Sequence, residues 1–249
     1  MQQFEDSTLW RLSAYERMRL ERSSTAFAQL GENTVLPTTL VSDLRQLDLQ
    51  RESHDVLEVL AACLRHRQSA LLCLRYEDLV WPLTVFPLEG LYHSPRALAR
   101  AKPQSLAQSE MLSCDPPGLR PPGHWMHERI GRTEHYHELK PLLWNLALIG
   151  PRTTLLREIG GPAAYRVLLS KDHRPDAPGA VGAAAERLRS ESASLREIAR
   201  WPGMTAERAA RLLNALYMLG GLMVMRSHPA ARPESDFLGR LLRFGRAKR

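Results

Sequence analysis

Apolar and polar positions follow several periods along this chain, and the clearest lies between Ser194 and Met225. Leu195, Ile198 and Ala199 give a short helix one apolar face. Trp201-Pro202-Gly203 stops it, because proline cannot continue a helix and glycine tolerates left-handed backbone. Thr205 then stands where a helix N-cap belongs, with Glu207 in the first turn, where the helix dipole favours an acid. Ala209, Leu212, Leu213, Leu216 and Leu219 repeat at i, i+3, i+4 and i+7, which predicts a second, longer helix with one buried side. Gly220-Gly221 ends it, and Leu222 to Met225 reads as a short strand.

Upstream, the apolar spacing predicts helices over 7–30, 39–49 and 53–67, which together make a helical layer. The period then shortens. Residues 69–76 and 79–86 are apolar, branched or aromatic runs separated by Glu77-Asp78, the pattern of a β-hairpin. Pro82 cannot donate to a ladder, so the second strand is expected at an edge or at a bulge. Ser94-Pro95 looks like the opening of a short helix that Pro103 ends, and 105–114 reads as a third strand.

Residues 115–137 hold four prolines and three glycines and read as a boundary loop. A helix is expected from Glu138, where Leu139, Leu142, Leu143, Leu146 and Ile149 share a face. Segments 154–159 and 162–169 read as two further short helices broken by Gly160-Gly161, and 171–182 as a second loop. Leu156-Arg157-Glu158-Ile159 recurs as Leu195-Arg196-Glu197-Ile198, an echo that would fit tandem helix-turn-helix units.

Helix, glycine-containing turn, helix and strand over 194–225 outline a helix-turn-helix. The stretch resembles the reduced winged-helix modules of bacterial regulatory and signalling proteins. The first 114 residues are similar, in order of elements only, to small sensor or roadblock-type scaffolds. The expected fold class is α+β, with a small N-terminal α+β domain built on one sheet (1–114). A Pro/Gly/His-rich linker (115–137) follows. A mainly helical part ends in a winged-helix-like unit (138–226), and a basic amphipathic tail (227–249) completes the chain.

Composition adds location and charge. Hydrophobic residues make up 44% of the 249 and charged ones 24%, ordinary for a globular chain. No run reaches the roughly 18 uncharged apolar residues that span a bilayer. The segment MQQFEDSTLW has neither the basic region nor the apolar core of a secretory signal, so a cytoplasmic location is expected. Cys63, Cys73 and Cys114 are widely spaced and form no CxxC, as buried thiols in a reducing compartment would be. Only four of the 34 basic residues are lysine, which points to a GC-rich bacterial genome. Of the net +7, the segment 226–249 carries +5, with seven basic and two acidic residues. That is a basic tail on a nearly neutral body.

Catalytic motifs are missing: there is no GxSxG, GxxxxGK[ST], GxGxxG or HExxH. No enzymatic activity and no cofactor are expected. His124, His127, His135 and His137 lie in the boundary loop at spacings that metals accept, but no cysteine joins them. They are weak metal candidates, and solvated imidazoles or a pH response are the other readings. Thr205, Arg208, Arg211 and Asn214 are expected on the outer side of the second helix, and Arg and Asn suit base reading in the major groove. Against that stand Glu207, a surface of alanines, and the prolines after Met225 that leave no room for a second wing strand. The tail FLGRLLRFGRAKR sets Arg240, Arg243 and Arg246 among leucines and phenylalanines, as a contact to a partner, to nucleic acid or to an anionic membrane surface would. The expected function is therefore a non-catalytic bacterial regulatory or adaptor protein acting through an unidentified protein partner. The alternative is a DNA-binding transcription regulator using the helix-turn-helix.

Overall fold

The computed structural model describes residues 9–24, 36–49, 54–168, 177 and 179–231. The chain divides into two compact units, residues 1–152 and 153–249. Both mix helices with antiparallel sheet, so the α+β class holds.

The first unit is organised on a hairpin. Strands β2 (Ala70–Tyr76) and β3 (Leu79–Phe86) pair along their whole length, Ala70 opposite Val85 and Arg75 opposite Val80. Glu77 takes a positive φ of 54°, which suits a two-residue hairpin turn. The sheet runs β5 (Glu110–Asp115), β2, β3, β4 (Leu91–His93), β6 (Tyr136–Glu138), and the short β1 (Trp10–Arg11) also pairs with β3. β3 is thus interior, not the edge strand that Pro82 led one to expect. Pro82 is tolerated because β1 covers only Leu79 and Val80 on that side and β4 only Thr84 to Phe86. The proline sits in the gap between them.

Helix α3 (Val56–His66) is buried over its first two turns, from Val56 to Cys63. Asp55 caps it, accepting the Leu57 N–H at 2.9 Å and the Glu58 N–H at 3.3 Å. Helix α2 (Thr38–Leu49) packs on it through Leu40 and Leu47. Helix α1 (Leu12–Ser24) lays Tyr15 onto Cys73 and Val80 of the sheet. Three expectations fail here. Pro103 opens helix α4 (Pro103–Ala107) instead of ending one, because a first-turn position needs no N–H. Ser94 is no N-cap of a regular helix: it is buried, and its hydroxyl accepts the Trp81 indole N–H at 2.6 Å. The third strand is shorter than 105–114, since α4 occupies its first part.

The domain boundary is also corrected. The 115–137 segment does not separate two units; it returns to the sheet as β6, and helix α5 (Leu139–Ile149) packs on α3 and α4. Its inward leucines are satisfied inside the first unit, which therefore extends to Arg152.

The second unit holds α6 (Gly179–Ser190), β8 (Ala193–Ser194), α7 (Leu195–Ala199), α8 (Ala206–Met218) and β9 (Leu222–Met225). Strand β7 (Ala164–Val167) precedes them and lies between β8 and β9, antiparallel to both. The helix expected over 162–169 is this strand. Ala164, Tyr165 and Val167 are buried and Arg166 exposed, so pairing on both sides overrides the helix propensity of alanine and leucine. Residues 154–159 form turns, so the tandem-repeat reading is also overturned: the second copy of Leu-Arg-Glu-Ile is helical and the first is not. Leu212, Leu213 and Leu216 are buried as their spacing required.

Candidate functional site

The helix pair α7–α8 is built as its residues dictate. Ser194 and Glu197 close a capping box at the start of α7: the Ser194 hydroxyl accepts the Glu197 N–H, and the Glu197 carboxylate accepts the Ser194 N–H at 2.7 Å. Gly203, with φ at 73°, makes the turn between the helices. Thr205 caps α8, its hydroxyl accepting the Arg208 N–H at 3.1 Å.

The four residues placed on the outer surface of α8 do not stay together. Thr205 is exposed but committed to its cap. Arg208 is exposed and folds back to donate to the Gly203 carbonyl at 2.6 Å. Arg211 leaves only 17% of its side chain exposed and pairs with Glu207 at 3.0 Å. Asn214 is fully buried, which corrects its expected outward position. Its side-chain oxygen accepts the Leu156 N–H at 2.9 Å and its amide donates to the Thr154 carbonyl at 2.8 Å. Both are backbone groups of the segment that precedes β7, and Asn supplies a matching donor and acceptor. Only the first turn of α8, Ala206 to Arg208, remains open.

A wing is the other device by which such a module grips nucleic acid. Here β9 runs into Arg226, whose guanidinium donates to the Gly160 carbonyl at 2.5 Å and the Glu158 carbonyl at 2.8 Å. The strand beside β9 comes from before the helices, so no hairpin joins the two. Met223 on β9 and Leu168 just past β7 are exposed apolar side chains. Arg240, Arg243 and Arg246 lie outside the described residues.

In the first unit the four loop histidines separate. His124 accepts the Met126 N–H at 3.1 Å and stacks on the exposed Trp125, while His127 is exposed in a 3₁₀ turn. His135 and His137 flank Tyr136 of β6, and β4 brings a fifth histidine, His93, to them. The His93 and His135 rings stand edge to face at 5.6 Å, and His137 lies 5.1 Å from Tyr92. Burial, then the charges of His135 and His137, push His93 down to about 4, and burial also lowers His137. Among the described residues no group of three or more His, Cys, Asp or Glu could hold a metal ion.

The surrounding loop is firmly tied. Tyr136 donates its hydroxyl to the Arg120 carbonyl at 2.6 Å and accepts the Gly131 N–H at 2.9 Å. A Cβ on Gly131 would come within 2.7 Å of the His93 ring, so only glycine fits beside it.

Two buried polar groups had no signal in the sequence. Arg152 reaches back to the start of α3, pairing with Asp55 at 2.6 Å and with the buried Glu58 at 2.8 Å. Tyr15 bonds Ser113 at 2.6 Å, and Ser113 donates to Asp115 at 2.6 Å. Burial pushes the Tyr15 hydroxyl up to about 12. Cys63, Cys73 and Cys114 are free thiols. Burial raises Cys73, while a hydrogen bond to Cys63 and then burial raise Cys114, the opposite of what activates a nucleophile. No protein-family model, curated protein or solved structure matches the chain. No helix of the described residues is long and apolar enough to cross a membrane.

Proposed function

We propose that this is a non-catalytic regulatory or adaptor protein whose second unit is a reduced winged helix used for docking protein. The observation that carries this reading is the burial of Asn214 together with the pairing of Arg211 to Glu207. A recognition helix needs its bidentate side chains free to meet base edges. Here the asparagine is spent inside the unit, and the arginine would have to leave a carboxylate that itself repels phosphate. The order α6, β8, α7, α8, β9 supports the winged-helix part of the reading, with β7 filling the centre of the small sheet. Among the described residues no wing hairpin follows β9, and a missing wing removes backbone contacts, which supply most non-specific affinity for DNA. What remains suits a protein partner: an exposed first turn of α8 and an edge strand, β9, whose Met223 is exposed.

A second reading, a DNA-binding regulator, draws on Thr205 and Arg208 in the one exposed turn of α8. Selection from a randomised duplex library at physiological salt separates the two. The adaptor reading expects weak binding that is indifferent to sequence and lost on raising salt. Enrichment of a defined sequence, weakened by Arg208→Ala, overturns it.

A further inference from the structure

Two of the three cysteines meet inside the first unit. Cys63 lies on the buried side of α3, and Cys114 lies on β5, a strand that α3 packs against. Their thiols share a hydrogen bond, so the two sulfur atoms are in contact. Both are free thiols. Cys73 is kept apart from them. On the β2–β5 ladder Cys73 stands opposite Ser113 and Leu72 opposite Cys114, so alternation sends Cys73 and Cys114 to opposite faces of the sheet. Cys73 faces Tyr15 of α1 instead.

The two partners differ in access. Cys63 is fully buried, whereas Cys114 is half-buried. Among the described residues Cys114 lines a partly open cavity of about 290 Å³, to which Arg19, Asp48, His54 and Ser113 give a polar wall. A small hydrophilic molecule can therefore reach Cys114 but not Cys63.

We propose that Cys63 and Cys114 are a redox-sensitive pair, which a peroxide converts to a disulfide that pins α3 to β5. Cys114 meets the oxidant first. Its sulfur, as the thiolate, attacks one peroxide oxygen, and the O–O bond breaks. The hydroxide that leaves takes up the proton Cys114 released, and Cys114 becomes a sulfenic acid. The Cys63 sulfur then attacks the Cys114 sulfur and the S–O bond breaks, the hydroxide leaving as water with the Cys63 proton. Two thiols have lost two electrons, and the peroxide has been reduced to two waters. Because the sulfurs already touch, side-chain rotation is enough to close them to the disulfide length of about 2 Å. The resolving thiol is thus in place before the sulfenic acid can be oxidised further. The raised Cys114 thiol holds little thiolate at neutral pH, so the pair answers sustained oxidant and not a trace of it. A dithiol reductant restores both thiols by exchange.

The test is exposure of the folded full chain to millimolar hydrogen peroxide, then alkylation of the remaining thiols, digestion without reductant and mass spectrometry. One cross-link is expected, Cys63 to Cys114, about 2 Da below the summed mass of its two peptides, with Cys73 alkylated. Dithiothreitol should abolish it, and Cys73→Ser should retain it in full. The parent protein alone decides the matter, so the result does not depend on a variant that folds. A cross-link that includes Cys73 overturns the proposal. So does a Cys114 that gains oxygen without bonding Cys63, or three thiols still open to alkylation after hours of exposure.

Discussion

Asn214 of α8 holds Leu156 from 58 positions away in sequence, accepting its N–H at 2.9 Å in the interior of the second unit. The same amide donates to the Thr154 carbonyl, so one side chain fixes the turn that leads into β7. This bond joins the helix pair to the strand that completes the sheet. Asn214→Leu removes both bonds at once and takes the acceptor from the N–H of the buried Leu156. Removing the partner of a buried donor costs about 1–3 kcal/mol. Denaturant unfolding should show a loss of about 1–3 kcal/mol, and a loss below 0.5 would mean that water replaces the side chain.

Most of the second unit's helix pair was legible, because its signals are local. Thr205 at the cap and the spacing of Leu212, Leu213 and Leu216 sit within a few residues of what they determine. β7 was not, since four residues, three of them buried, are too few to outweigh an alanine- and leucine-rich context. Asn214 was misplaced for a related reason. Polar identity puts it outside, but α8 is covered on nearly all sides after its first turn, and only tertiary contact shows a buried partner for it. The pairing of Tyr92 with His137 is likewise a register that no local pattern carries.

Leu216 tests the core of that same helix. It is fully buried, and Leu216→Ala should cost about 2–5 kcal/mol through lost transfer energy and the cavity left behind. Thermal unfolding of the variant checks it. A change under 1 kcal/mol would require the surrounding helices to collapse onto the void.

Arg152, Asp55 and Glu58 form the buried ion cluster of the first unit. Arg152→Met leaves Glu58 charged, buried and without this cation, which typically costs about 3–5 kcal/mol. The double variant Arg152→Met with Glu58→Gln removes the uncompensated charge and should recover a large part of that loss. If the single and double variants are equally unstable, the arginine acts through packing of its stem and not through its charge.

His93 makes the first unit sensitive to acid. Its folded-state pKa is about 4 against an ordinary 6.5, so between those values the unfolded chain binds more protons than the folded one. Its contribution is therefore fully present above pH 6.5, falls as pH drops through that window, and is gone below about pH 4. Burial is the larger cause, and the charges of the nearby His135 and His137 add to it. One pKa unit is about 1.4 kcal/mol, and discounting for partial exposure leaves a loss of about 2 kcal/mol. His93→Gln cannot titrate, so its stability should change less between pH 7 and pH 4.5 than that of the parent protein. Melting temperatures of both proteins across that range check the sign. Parallel curves would show that the acid sensitivity of the unit comes from other groups.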